Sequence, residues 1–236
     1  MNDIVVFVSH IKKLDLLLAI YIFCIMVSEL MGAKTFPIAT IGSFKLSASV
    51  AIFVFPIIFT VTDIIIEVFG KERAHSVILS GFAAIVLLVF FSILAVSLPP
   101  SARFASSEKA YDDVFYKSIR ISIASLIAFA TSAFFDTVVF IKIREMFGKK
   151  ALWFRNNISN FASQLSDTVI FITLAFYAVD KGFTNNALFL VGLIIPYWAL
   201  KCLMSVIETP FVYWGVKWLK GEKKESSSKH FELFTA

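Results

Sequence analysis

The chain has little charge, few cysteines and few histidines, and each shortage excludes a class of protein. Charged residues make up 17% of its 236 residues, whereas an ordinary soluble domain carries about 25%. Two cysteines and three histidines, far apart in sequence, leave no candidate for a disulfide framework or a metal-ligand cluster. The chain has no GxxxxGK[ST] loop, so it does not bind ATP in that way. We therefore expect no metal, no cofactor and no soluble catalytic domain.

Long apolar runs dominate what remains. Six runs approach or exceed the roughly 20 residues that a helix needs to cross a bilayer. They are Leu14–Ala33, Leu46–Phe69, Val77–Leu98, Val114–Phe140, Ile158–Val179 and Ala187–Trp214. The sequence therefore predicts an all-α, polytopic membrane protein with one domain of six transmembrane helices over residues 1–220. Residues 221–236 are polar, and we expect a short, disordered cytoplasmic tail there. Thr35 to Ser47, around Gly42, is expected to form a hairpin.

The basic residues between the runs are unevenly distributed. One set of flanks holds Lys12, Lys13, Lys71, Arg73, Lys142, Arg144, Lys149, Lys150, Arg155, Lys217, Lys220, Lys223, Lys224 and Lys229. The opposite flanks hold Lys45, Arg103, Lys109, Lys117, Arg120 and Lys181. Because the richer side is normally cytoplasmic, we expect a multi-pass inner-membrane protein with both termini inside. The net charge of +5 comes from residues clustered in these short flanks, where their uneven distribution orients the protein in the lipid bilayer. Nucleic acid is therefore not an expected partner.

Two carboxylates, Asp63 and Glu67, lie in an otherwise uncharged run. A charge in mid-membrane costs at least roughly 2.5–3.5 kcal/mol, so such acids mark functional sites. Their i, i+4 spacing places both on one helical face. Asp63, about one turn deeper, is the better candidate for ligand binding, whereas Glu67 is expected to bind ligand, to pair with Lys71 or to gate the exit.

The fifth run carries a polar stripe. Asn156, Asn160, Ser163, Gln164 and Asp167 follow helical spacing on one side. Amides can join helices in lipid by hydrogen bonds, which would explain one or two of them. A stripe that ends in an ionisable Asp167 favours a solvated cavity.

The sixth run carries Lys201 too far from either end to reach water easily. We expect Lys201 to face the interior and pair with an acid, either as a staple between helices or as a ligand contact. Glu29 in the first run is a further site candidate. We expect either ligand contact or a structural or coupling role for Lys34, Asp136 and Glu208. The serines of the fourth run are expected to allow close helix packing.

Acids outnumber lysines in this set, so the predicted cavity is acidic. It suits a cationic ligand or a heterocycle rich in N–H donors, which a carboxylate can bind in pairs.

Several blocks in order resemble one known family. Thr62-Asp-Ile-Ile-Ile-Glu-Val-Phe-Gly70 is similar to the TD-x-x-x-E-x-x-G signature of the vitamin uptake transporter family of queuosine precursor transporters. Ser132–Phe140, Trp153–Ser159 and Ser163–Phe171 resemble its further blocks, and Lys201 and Pro210 fit its last helix. The resemblance covers most of the chain, with one departure: Glu29 stands where the family has an asparagine.

The resemblance implies import of a 7-deazaguanine (preQ0, preQ1 or queuine) across the inner membrane for tRNA modification. It also implies a fold like the substrate-binding components of energy-coupling-factor vitamin transporters. A purine-like base is then the expected small-molecule substrate. Asp167 or Asp63 would bind its N–H edge, Asn160 and Gln164 its carbonyl and ring nitrogens, and Glu29 or Glu67 an amine.

Other functions remain as alternatives. Uptake of another vitamin or nucleobase fits the same cavity. An intramembrane enzyme is disfavoured, because no histidine lies in mid-run and Ser205 with Lys201 lacks an oxyanion-hole signature. An ion channel is disfavoured because the acids form no ring. The sequence leaves open a homodimer and a separate energising subunit.

Overall fold

The structure is a computed structural model that describes residues 12–42, 44–147, 152–207 and 210–221, excluding the side chains of residues 41, 44, 132–147, 152–160, 163 and 204–206. The predicted tail beyond residue 221 lies outside the described residues. The elements in chain order are α1 (Lys13–Met31), β1 (Thr35–Ile41), β2 (Phe44–Ser49), a 3-10 helix (Val50–Phe53), α2 (Phe55–Phe69), α3 (Lys71–Ser97), α4 (Glu108–Phe147), α5 (Leu152–Phe176), α6 (Phe183–Ile207) and α7 (210–221). The described protein is thus mostly helical, as predicted.

The hairpin prediction is confirmed, but the helix predicted from Leu46 is wrong over its first part. β1 and β2 pair antiparallel around Gly42, whose φ of 62° suits glycine. The chain then passes through the 3-10 helix, which Ser49 caps by accepting a hydrogen bond from Ala51 N. α2 begins only at Phe55, with Pro56 in its first turn. Proline lacks an N–H and is tolerated at a helix start but not in its interior, so Pro56 is the signal that the apolar run conceals.

Four helical segments among the described residues have the length and apolar character to cross a membrane. They are Lys13–Met31, Lys71–Ser97, Glu108–Thr131 and Phe183–Leu203, and a shorter apolar segment covers Gln164–Phe176. The 15 residues of α2 extend about 22 Å at 1.5 Å per residue, less than the roughly 30 Å hydrocarbon core. The protein is therefore a multi-pass membrane protein, and the count of six spans stays a prediction.

Two glycines let helices approach closely around α1 and α2. A Cβ on Gly81 of α3 would lie 2.7 Å from Ile25 Cδ1 of α1. A Cβ on Gly215 of α7 would overlap Ile64 of α2. Close backbone approach at small residues drives helix association in membranes. These contacts hold α1, α2, α3 and α7 around one buried apolar cluster that includes Tyr21 and Ile65.

Polar contacts hold the hairpin and α5 against their neighbouring helices. Ser49 donates its hydroxyl to the Gly32 carbonyl at 2.5 Å, and its backbone N–H donates to Tyr197 Oη of α6 at 3.1 Å. The Arg120 guanidinium of α4 donates to the carbonyls of Leu174 (2.9 Å) and Tyr177 (2.5 Å). A cation on these last carbonyls satisfies acceptors that a helix end leaves open. The hairpin and α5 are thereby tied to α6 and α4.

Candidate functional site

The helices line a partly open cavity of about 480 Å³, a size typical of small-molecule sites. Its wall combines side chains from α1 to α6 and from the segment after β2. The polar lining consists of Ser28, Glu29, Ser49, Thr62, Asp63, Ser125, Gln164, Asp167 and Lys201. The aromatic lining consists of Tyr21, Phe55, Phe59, Phe82, Phe129 and Phe171. An apolar wall with a few convergent polar groups is the usual composition of a binding site for an organic molecule.

An ion pair joins α5 and α6 at the cavity wall. Lys201 Nζ lies 2.5 Å from Asp167 Oδ2, and the two side chains are 14% and 29% exposed. The prediction that Lys201 pairs with an interior acid is therefore confirmed. The Trp198 indole N–H donates to the Phe161 carbonyl at 3.2 Å, which anchors α6 on α5 one turn before Lys201. The ammonium and the carboxylate consequently reach the cavity as adjacent donor and acceptor.

Gln164 lies one turn before Asp167 on α5 and also lines the cavity. Its Oε1 is 3.9 Å from Cys202 Sγ of α6. The amide adds a further donor and acceptor beside the ion pair. We call Gln164, Asp167 and Lys201 the edge group.

Glu29 of α1 is the most deeply buried acid of the cavity, at 3% exposed. Its carboxylate lies beside the hydroxyls of Ser122 and Ser125 on α4. Among the described residues, Glu29 Oε2 has no hydrogen-bond partner, and Ser122 Oγ has none of good geometry either. The contact with Ser122 is therefore loose. A buried polar atom without a partner is costly, so this carboxylate marks a place where a donor is needed.

Asp63 and Glu67 of α2 separate in space. Asp63 is half-buried and lines the cavity next to Thr62, whose hydroxyl donates to the Ile58 carbonyl at 2.8 Å. Glu67 is exposed and is not part of the lining. The i, i+4 spacing places two residues on one face, but the second lies a turn further along, beyond the end of the cavity.

The structure thus brings together Glu29, Asp63, Gln164, Asp167 and Lys201 and leaves Glu67 outside. Lys34 is exposed and does not line the cavity. The side chains of Asn160 and Asp136, and the whole of Glu208, lie outside the described residues. Within the described part of the chain, no three metal-ligating side chains form a group that could hold a metal ion.

Sequence reasoning missed Thr62 and Ser125 as cavity residues. Ser118 does serve close packing, since its hydroxyl donates to the Leu30 carbonyl of α1 at 3.1 Å. Ser125 lies two turns further along the same face of α4, beside Glu29 and in the lining. The i, i+4, i+7 spacing of Ser118, Ser122 and Ser125 was the available signal, and its alignment with Glu29 required the helix register.

Comparison with known proteins matches most of the cavity region. Residues 49–215 match the family described as "Putative vitamin uptake transporter". The "Probable queuosine precursor transporter" of Bacillus subtilis (strain 168) is 29% identical over 190 residues, 80% of each chain. The protein of the same name from Haemophilus influenzae is 30% identical over 127 residues, 52% of this chain and 49% of the relative.

The "Queuosine precursor transporter" of Escherichia coli (strain K12) is 25% identical over 158 residues, 66% of each chain. No solved structure matches this chain. The matched region begins at Ser49 and ends after α6, so it contains every polar residue of the lining except Ser28 and Glu29. The chain belongs to the vitamin uptake transporter family.

Proposed function

We propose that the protein imports a queuosine precursor, a 7-deazaguanine base, through the cavity between its membrane helices. The observation that carries the proposal is the convergence of Glu29, Asp63, Gln164, Asp167 and Lys201 on one cavity of about 480 Å³. The names of the three relatives support the same class of substrate. Charged groups inside membrane helices mark substrate pathways by default. The protein is a transporter and not an enzyme in this proposal.

The edge group matches the hydrogen-bonding edge of a guanine-like base. That edge presents a carbonyl acceptor followed by the N1–H and N2–H₂ donors. The Asp167–Lys201 pair presents a carboxylate beside an ammonium at 2.5 Å. Asp167 would accept from the two donors as a bidentate partner, and Lys201 would donate to the carbonyl. Gln164 would then bind a ring nitrogen or share the carbonyl.

The remaining lining supports a flat heteroaromatic ligand. Phe55, Phe129 and Phe171 supply apolar walls, against which an aromatic ring packs at offset or edge-on angles. Phe55 is itself held edge-on by Tyr197, with ring centroids 5.7 Å apart. Asp63 is a second carboxylate for the ring substituents, and we retain Asn160 as a further ligand residue on α5.

The membrane topology belongs to the same proposal. We propose six spans, in which α2 and α5 cross the membrane in addition to the four membrane-length segments. Both termini lie in the cytoplasm in this proposal, and the protein is located in the inner membrane. A fold like the substrate-binding components of energy-coupling-factor transporters is consistent with this helix count. Another nucleobase with the same edge is the alternative substrate.

The test is a complementation experiment whose readout is tRNA modification and not growth. The gene is placed in a bacterium that cannot make the precursor but can insert it into tRNA, and preQ0, preQ1 or queuine is supplied separately. We expect modified tRNA with at least one base at low external concentration. Cells carrying the empty vector serve as the control. Absence of modification with all three bases, despite protein in the membrane, would overturn the proposed function.

A further inference from the structure

Glu29 is not explained by recognition of the base edge. The edge group lies on α5 and α6, whereas Glu29 lies on α1 and faces Ser122 and Ser125 of α4. A ring edge bound by Asp167 and Lys201 has no use for a second acid on a different helix. Glu29 therefore has to meet another part of the ligand.

The charges of the described lining are unbalanced. Two carboxylates of the described lining, Glu29 and Asp167, share one ammonium, Lys201. Lys201 is engaged with Asp167 at 2.5 Å. An additional positive charge in the cavity would reduce the imbalance, and desolvated charges of one sign otherwise repel strongly.

The groups around Glu29 do not replace that positive charge. Each serine hydroxyl offers one neutral donor. Among the described residues Oε2 has no hydrogen-bond partner, and the residue is 3% exposed. An alkylammonium group offers three donors and a full charge, and hydrogen bonds between ionised partners are about twice as strong as neutral ones.

We propose that Glu29 binds a cationic amine on the ligand, so that the cavity prefers a 7-deazaguanine with an aminomethyl substituent over one with a nitrile. This inference rests on the proposed function and adds the class of substituent that the site selects. A nitrile is neutral and only accepts hydrogen bonds, so it leaves Glu29 Oε2 without a donor. The aminomethyl base satisfies that oxygen and brings the missing charge.

The experiment compares uptake of preQ1, which carries the amine, with uptake of preQ0, which carries the nitrile. The intact protein is expressed in the precursor-deficient bacterium and initial rates are measured for both bases. We expect Glu29→Gln, which removes the charge and keeps the side-chain shape, to lower the preQ1/preQ0 ratio at least tenfold. Glu29→Asp should restore part of the preference. Glu72→Gln, on an exposed glutamate outside the cavity, is the matched control and should leave the ratio unchanged.

A second measurement uses the unaltered protein, in case Glu29→Gln does not reach the membrane. Competition against labelled preQ1 is measured with preQ1 and with its N-acetyl derivative, in which the amine is neutral. We expect the neutral derivative to compete at least tenfold more weakly than preQ1, and an ethylated amine of comparable size, which stays cationic, to compete better than the acetyl derivative.

An unchanged preQ1/preQ0 ratio in Glu29→Gln, or an equal loss of both bases, would overturn the inference. Equal competition by the acetyl derivative and the ethylated amine would also overturn it. In each of these outcomes the protein still carries a 7-deazaguanine, so the proposed function survives. Failure of the unaltered protein to carry any of the bases is a different result and contradicts the function itself.

Discussion

Asp167 and Glu29 are both acids in apolar helical segments, yet their surroundings differ. Asp167 is 29% exposed and is paired with Lys201 at 2.5 Å. Glu29 is 3% exposed, and Oε2 has no hydrogen-bond partner among the described residues. A paired acid presents a fixed donor–acceptor pattern, which suits the recognition of a flat hydrogen-bonding edge. An acid without a counter-charge suits a ligand that supplies one. Edge recognition and charge recognition are thus assigned to different helices.

Asp167→Asn tests the paired acid and should have the largest effect. The amide replaces one acceptor oxygen with an N–H₂ donor, which opposes the donors of the base edge. Sites that hydrogen-bond a substrate reject mismatched partners by large factors, up to about 10⁴–10⁵, and we expect uptake to fall at least about 100-fold. Asparagine keeps the size of the side chain but leaves Lys201 without its counter-ion, so uptake is expressed per amount of protein in the membrane. Uptake within threefold of the unaltered protein would contradict the assignment.

Lys201→Met breaks the same pair from the other side. The change leaves Asp167 without its counter-ion, and breaking a buried pair costs about 3–5 kcal/mol. Because both groups border a cavity, we expect a smaller loss of about 2–3 kcal/mol, measured by denaturation in detergent. The double variant Asp167→Asn with Lys201→Met should recover most of that stability but not the uptake. A double variant no more stable than Lys201→Met would show that the pair is not the cause.

Asp63→Asn extends the comparison to a third acid of the cavity. Asp63 lines the cavity, whereas Glu67, one turn along the same helix, is exposed and lies outside the lining. We expect Asp63→Asn to lower uptake about tenfold, equivalent to about 1.4 kcal/mol. The matched change Glu67→Gln should lower uptake less than threefold. The reverse order of effects would mean that the functional face of α2 extends beyond the cavity.

Ser125→Ala tests the surroundings of Glu29 and should have the smallest effect. It removes a hydroxyl that lies beside the carboxylate, and a neutral hydrogen bond contributes about 0.5–1.5 kcal/mol. We expect a stability loss of about 1 kcal/mol in detergent, with Ser80→Ala on the exposed face of α3 as the control. Equal thermal midpoints for the two variants would show that Ser125 does not support Glu29.

The cavity residues were largely predictable because polar groups stand out in apolar runs. Gln164, Asp167, Lys201 and Asp63 each interrupt a helix that otherwise faces lipid or core, and their cost in the membrane implies a use. The pairing of Lys201 with an acid also followed from that cost. Which acid it pairs with did not follow, because the choice depends on how α5 and α6 are rotated against each other.

Two features could be recognised only in the folded structure. Helical spacing placed Asp63 and Glu67 on one face, but spacing carries no information about where a cavity ends along a helix. The start of α2 was also hidden, because Leu46 to Phe53 is as apolar as a membrane helix. Pro56 marks that boundary by its missing N–H, and Ser49 caps the 3-10 helix that precedes it. A hydrophobicity pattern registers neither feature.

Equilibrium binding of preQ1 to the purified protein tests the central claim most directly. The protein is reconstituted in lipid nanodiscs, and binding is measured by calorimetry for the unaltered protein and for Asp167→Asn. The account predicts saturable binding at one site per chain, weakened at least about 100-fold by Asp167→Asn. Saturable binding of equal affinity in both proteins, or no saturable binding to the unaltered protein, would contradict it.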